Sequence, residues 1–238
     1  MSNLHSDINV VPSDLYVTTT VAQAPIGARA VTSDGREFRY VKVGGTALVA
    51  GNLQQSSAQV ANLLNVAAST AAIGDTSITL TISSTAITAN SLNGAIVVFN
   101  AGTGIGQSYR IKSHTSGTIT SLVLTLEDPI AVATLSSDTK ASVYLNKYQG
   151  VVVNPTTPTG SPVGVAIVAN TASGFGWIQA KGLVSCLNDS ATTIGLALAP
   201  SQSVAGALKT GATTLDSVAR ACQAGVNAEY RIVDLYGV

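Results

Sequence analysis

Strict two-residue alternation is the feature that most narrows what this chain can fold into. Ile78-Thr79-Leu80-Thr81-Ile82 places apolar side chains on one face and threonines on the other, the period of a half-buried strand. Leu122, Leu124 and Leu126 repeat the pattern around Val123 and Thr125. Both runs carry β-branched residues, which sit well on a pleated surface. Ala95-Ile96-Val97-Val98-Phe99 reads as a buried strand, with Ser108-Tyr109-Arg110-Ile111 as its expected neighbour. Gly74-Asp75, Asn93-Gly94 and Ser116-Gly117 supply turns at spacings suited to a compact β domain.

Closer to the start, Ala30-Val31-Thr32, the turn Ser33-Asp34-Gly35 and the run Arg36 to Val43 predict a β-hairpin, because Asp and Gly tolerate positive φ. Phe38 and Tyr40 share a face of its second strand, and Phe38 is expected in the core. After Tyr148, Pro155, Pro158, Gly160 and Pro162 punctuate the chain. Val163-Gly164-Val165-Ala166, Ile194-Gly195-Leu196-Ala197 and, more loosely, Val218-Ala219-Arg220-Ala221 then read as similar short strands. Their small second residue would let another backbone or an aromatic ring approach closely. Leu215, Val218, Ala219 and Cys222 also fit one face of a helix; Gly211 and Gly225 leave little length for one, which favours a strand. Val60, Leu63, Leu64 and Ala67 predict a short helix.

The expected fold is therefore mostly β: two β-barrel or sandwich-like domains, one inserted into the other, with an extended N-terminal arm. The arm takes residues 1–25, the discontinuous domain 26–70 plus 146–238, and the inserted domain 71–145. Leu4, Val10, Leu15 and Tyr16 in the arm, with Phe175 and Trp177, are the expected interface residues.

Charge is scarce. Only 10% of residues are charged against 46% hydrophobic, where a soluble domain usually carries about 25% charged. Thr, Ser, Asn, Gln and Gly must cover the surface, which suits one hidden by neighbours, since interface cores shed charge. Lys and Arg number 12 and Asp and Glu 12, with no run of either sign. That argues against direct nucleic-acid binding, which needs clustered cations. Apolar runs such as Val163 to Ala169 are too short to span a bilayer as a helix. Met1 to Asp7 lacks the basic and apolar regions of a signal peptide, so synthesis in the cytoplasm without ordinary secretion is expected.

No residue set assembles into a catalyst. The two histidines are His5, in the arm, and His114, expected as a solvated turn residue. The nucleophile-elbow sequence Gly-x-Ser-x-Gly does not occur. Metal-binding spacings are also absent, and Cys186 and Cys222 lie far apart in sequence; they could pair, though two small buried hydrophobes is the expected reading. Gly102-Thr103-Gly104-Ile105-Gly106-Gln107 lacks the third glycine of the dinucleotide fingerprint and the Gly-Lys-Ser/Thr of a P-loop, so it reads as a hairpin loop. Glu127-Asp128-Pro129 reads as a turn ending a strand. A non-enzymatic protein without cofactor or metal is expected. Trp177, between glycines in Gly174-Phe175-Gly176-Trp177, is open to three roles: core packing, interface anchor, or a sugar-binding platform.

Several segments resemble capsid decoration (cement) proteins of tailed bacteriophages, especially marine and cyanobacterial ones. They are Thr32 to Tyr40 followed by Gly44-Gly45-Thr46-Ala47-Leu48; Gly106 to His114 with Leu124 to Pro129; Pro162 through Gln179; and Ala224 to Arg231. The likeness runs over most of the chain beyond about residue 24. It implies a structural protein on the outer surface of an icosahedral head, clamping adjacent major capsid subunits. It also implies self-association, as a homotrimer, and an arm reaching across a neighbour. The alternative is a virion fibre or tail component that binds a host receptor or glycan.

Overall fold

The computed structural model describes residues 10–83, 87–117, 120–211 and 217–238; Leu4, His5 and Leu215 lie outside them. The chain divides into two compact units, Met1–Ala58 with Lys147–Val238, and the inserted Gln59–Asn146. Alternation alone places the start of the insertion at residue 71. It opens earlier because Leu63 and Ala68 are buried in its core, with Val60 and Val66 packed against them.

The strands in chain order are β1 (Arg29–Val31), β2 (Glu37–Val43) and β3 (Leu53–Gln55), then in the inserted unit β4 (Val66–Ala68), β5 (Ser77–Thr81), β6 (Ile96–Ala101), β7 (Ser108–His114), β8 (Leu122–Leu126) and β9 (Lys140–Tyr144). The first unit resumes with β10 (Gln149–Val153), β11 (Pro162–Ala166), β12 (Phe175–Leu187), β13 (Ala197–Pro200), β14 (Leu208–Thr210), β15 (Ala219–Ala221) and β16 (Tyr230–Tyr236). The fold is almost entirely β, as the alternation demanded.

The inserted unit is a closed barrel in the order β4-β5-β8-β7-β6-β9. Its interior holds the residues the alternation selected: Ile78, Leu80, Leu122, Leu124 and Leu126 are buried, with Val97, Phe99 and Ile111. Burying a side chain of this size contributes about 1.5–3 kcal/mol relative to exposure. The expected helix at Val60–Ala67 is a single 3₁₀ turn, Ala61–Leu63, before β4. Leu63 alone of that turn is buried, so the apolar spacing marks one anchoring side chain and a strand.

In the first unit a ten-stranded sheet runs β1-β2-β10-β3-β11-β12-β16-β15-β13-β14, and an additional β2–β12 pairing closes β2, β10, β3, β11 and β12 into a barrel. Val41, Val43, Val151, Val163 and Ile178 fill its interior. The long strand β12 serves twice. From Phe175 to Lys181 it pairs with β2, and from Lys181 to Leu187 with β16. At the handover Gly182 has φ +86°, a left-handed conformation that costs glycine no Cβ clash. Beyond it β16, β15, β13 and β14 wrap a second apolar cluster that includes Val184, Cys186, Leu198, Val233 and Leu235. Asn188 bridges Leu208 in parallel, which draws β14 back towards the foot of β12.

Two of the three short repeats are strands, β11 and β15. The third is not: Ile194 and Gly195 form a turn, with Gly195 at φ +85°, and the strand begins at Ala197.

Candidate functional site

Phe38, Tyr40 and Lys42 alternate on β2 with the barrel-filling Val41 and Val43, so their side chains stand on the barrel's outer face. On β12 the same period puts Phe175 and Trp177 beside them, in the register Trp177↔Tyr40 and Phe175↔Lys42. The rings meet as cross-strand neighbours should. Tyr40 and Trp177 lie edge to face at 5.1 Å, and Tyr40 stacks on Phe175 at 6.3 Å with 12° between planes. Such pairs add about 0.5–1.5 kcal/mol beyond the area they bury. Lys42 Nζ stands 5.9 Å from the Phe175 centroid.

Residues 10–25 cover this face. They include one 3₁₀ turn, Pro12–Tyr16, flanked by the extended Val11 and Val17, and the turn buries Leu15. Leu15 joins Ala28, Ala30, Phe38, Tyr40 and Trp177 in one apolar cluster, with Val10, Ala24 and Phe175 at its margin. The cover is fastened by backbone: Thr19 and Phe175 exchange both N–H···O bonds, at 2.9 and 2.8 Å. The Gln23 N–H donates to the Tyr40 hydroxyl at 2.9 Å. Between cover and rings remains a cavity of about 390 Å³, lined by Asp14, Thr19, Gln23, Tyr40 and Trp177 among others.

The expected interface residues thus divide. Trp177 is 6% exposed and Leu15 3%; both are buried within this chain. Val10 and Phe175 are half-buried, while Tyr16 points outward at 55% exposure. Leu4 lies outside the described residues. The cover also exposes large apolar side chains, Val11, Val17 and Val21 beside Tyr16, together with the polar Ser13, Asp14 and Thr20.

No family model, curated protein or solved structure matches this chain.

The other sequence candidates are placed by local geometry. His114 is not a solvated turn residue. It ends β7, 5% exposed, with both ring nitrogens committed to backbone. Nε2 accepts the Leu92 N–H at 2.9 Å and Nδ1 lies 2.6 Å from the Thr115 carbonyl oxygen. A nitrogen that accepts an N–H carries no proton, so the ring is the Nδ1–H tautomer. Cys186 is buried in the second cluster of the first unit, and desolvation pushes its thiol up to about 12. Cys222 is exposed, contrary to the expectation of two buried thiols, and both are free.

The glycine-rich stretch from Gly102 is the β6–β7 hairpin connection. Its Thr103 donates through N–H and Oγ1 to one Asp138 oxygen, at 3.2 and 2.8 Å. That hydroxyl bond holds the Asp138 carboxyl below its ordinary value. Among the described residues no three His, Cys, Asp or Glu side chains gather as a metal site, and no helix is long and apolar enough to cross a membrane.

Proposed function

We propose that this chain is a non-enzymatic virion structural protein that binds the outer surface of an icosahedral phage head and reinforces contacts between major capsid subunits. The observation that carries the reading is the cover's second apolar side: Leu15 faces inward, and Val11, Tyr16, Val17 and Val21 are exposed, with Asp14 the one charged side chain of residues 10–25. A segment fastened to its own barrel by paired backbone bonds, yet presenting a second apolar side, is suited to being gripped by a neighbouring chain. The charge-poor composition and the segments that resemble decoration proteins support the same reading. The alternative, a fibre or tail component reading a glycan through Trp177, needs an accessible indole face, and this one lies beneath Leu15.

Heads assembled without this protein provide the test. Added full-length protein should bind them at lattice stoichiometry and raise their resistance to heat or chelator. Substituting Val17→Ser together with Val21→Ser, both exposed, should lower occupancy without changing the fold by circular dichroism. Absence of binding by the full-length protein would sink the capsid reading, and glycan-array binding lost in Trp177→Ala would install the alternative.

A further inference from the structure

Three connections of the inserted barrel lie at one end of it: residues 69–76 between β4 and β5, 102–107 between β6 and β7, and 127–139 between β8 and β9. The antiparallel registers require this, since Ser77 faces Thr125, Ile111 faces Leu126 and Ala101 faces Lys140. The chain enters and leaves the unit at the opposite end.

At that far end Ile73 is 70% exposed, Ile105 65%, Val132 50% and Leu135 46%. These are large aliphatic side chains on loops, where polar residues would cost nothing. The loops holding them are braced together. Ala71 and Thr134 exchange backbone bonds at 3.4 and 2.9 Å, and Gly74 and Asp75 bond both ways to Ile130 at 2.8 Å. The Gln107 amide donates to the carbonyls of Gly104 and Val132, and its Oε1 accepts the Val132 N–H at 3.1 Å. Thr139 Oγ1 donates to Thr103 O at 2.8 Å. A surface so held pays little ordering entropy on contact.

Charge on the loops themselves has one sign, while Arg110 of β7 pairs with Glu127 at 3.4 Å and Lys140 opens β9 beside them. Asp75, Glu127, Asp128 and Asp138 are the ionisable residues of the three loops, and no Lys, Arg or His stands in them. A net acidic rim, with Asp75, Asp128 and Asp138 outside the Arg110–Glu127 pair, complements an apolar socket flanked by Lys or Arg, and it disfavours an anionic membrane surface.

We infer that this end of the inserted barrel is a docking surface for the head, received by an apolar, basic-rimmed patch on the major capsid chains. The inference rests on the capsid reading and names a contact distinct from the cover of residues 10–25. Ile73 and Ile105 enter the socket, and Asp128 faces its basic rim.

Binding to heads assembled without this protein tests it, with four proteins compared: wild type, Ile73→Ser with Ile105→Ser, Asp128→Lys, and Ile194→Ser as an exposed apolar control in the other unit. The double variant should bind at least about tenfold more weakly. Asp128→Lys should also bind more weakly, and wild-type attachment should fall as salt rises. The control should bind as wild type, with all four sharing one melting temperature. Wild type that fails to bind heads overturns both readings. Wild type that binds, with the double variant binding equally or the control losing as much, overturns the docking surface alone. Flotation with phosphatidylcholine vesicles, or self-association in sedimentation, that depends on Ile73 and Ile105 would likewise overturn it.

Discussion

Gly164 of β11 lies against the backbone of β12 so closely that a Cβ placed on it would stand 2.4 Å from the carbonyl oxygen of Gln179. Its φ of +141° is also one that L side chains rarely adopt. Gly164→Ala must therefore strain its own backbone and push apart two paired strands of the first barrel. A loss of roughly 2–5 kcal/mol in urea denaturation is expected. A variant within 0.5 kcal/mol of wild type would show that the approach is not tight.

His114 supplies a spectroscopic test of the inserted barrel. Because Nε2 accepts the Leu92 N–H, ¹⁵N chemical shifts should report the Nδ1–H tautomer. His114→Ala should cost about 1–3 kcal/mol by orphaning a buried donor. An Nε2–H signature would contradict the geometry.

The two thiols should behave unequally. Cys222 is exposed, whereas Cys186 is buried with its thiol pushed up to about 12. A thiol reagent under native conditions should label one equivalent quickly and the second only after denaturation. Labelling of both at similar rates would mean that the second cluster of the first unit opens readily.

Acid should weaken the first unit through Glu37. Arg29 grips its carboxylate in a two-point contact, Nε to Oε2 at 3.0 Å and Nη2 to Oε1 at 2.9 Å, and Lys181 adds a contact at 3.6 Å. The Arg29 hydrogen bond leads in holding the carboxyl below its ordinary value of 4.5. A group so depressed contributes stability that is present above the unfolded value and is lost as pH falls through the folded one. Unfolding midpoints measured from pH 6 downward should therefore decline below about pH 4.5 more steeply in wild type than in Glu37→Gln. Parallel curves would remove Glu37 from the account.

The barrel of the inserted unit was the most legible part of the sequence, because its strands bury one face and expose the other. Leu122 to Leu126 could hardly form anything else. Legibility failed where the deciding contact is tertiary. Val163-Gly164 and Ile194-Gly195 look alike as letters, yet one glycine meets a neighbouring strand and the other makes a turn. His114 was hidden by polar Lys112 and Ser113, yet β7 runs on through them to His114, with a register shift against β8 between Ile111 and Ser113. At the candidate site, the aromatic residues of β2 and β12 were visible singly, but their pairing depends on a β2–β12 register that no local pattern encodes. The docking of residues 10–25 was equally hidden, since a weakly patterned segment does not announce what it covers. Ile73 and Ile105 carry no local pattern that sets them apart, and only the closed barrel leaves them exposed on its loops.

The thirteen residues of β12 have one further consequence. A strand that is wall to two cores cannot be inherited, trimmed or exchanged for one of them alone. Recombination that cuts the chain near Gly182 would leave each half with a missing side, so the barrel of the first unit and the strands beyond it must travel through evolution as one heritable piece.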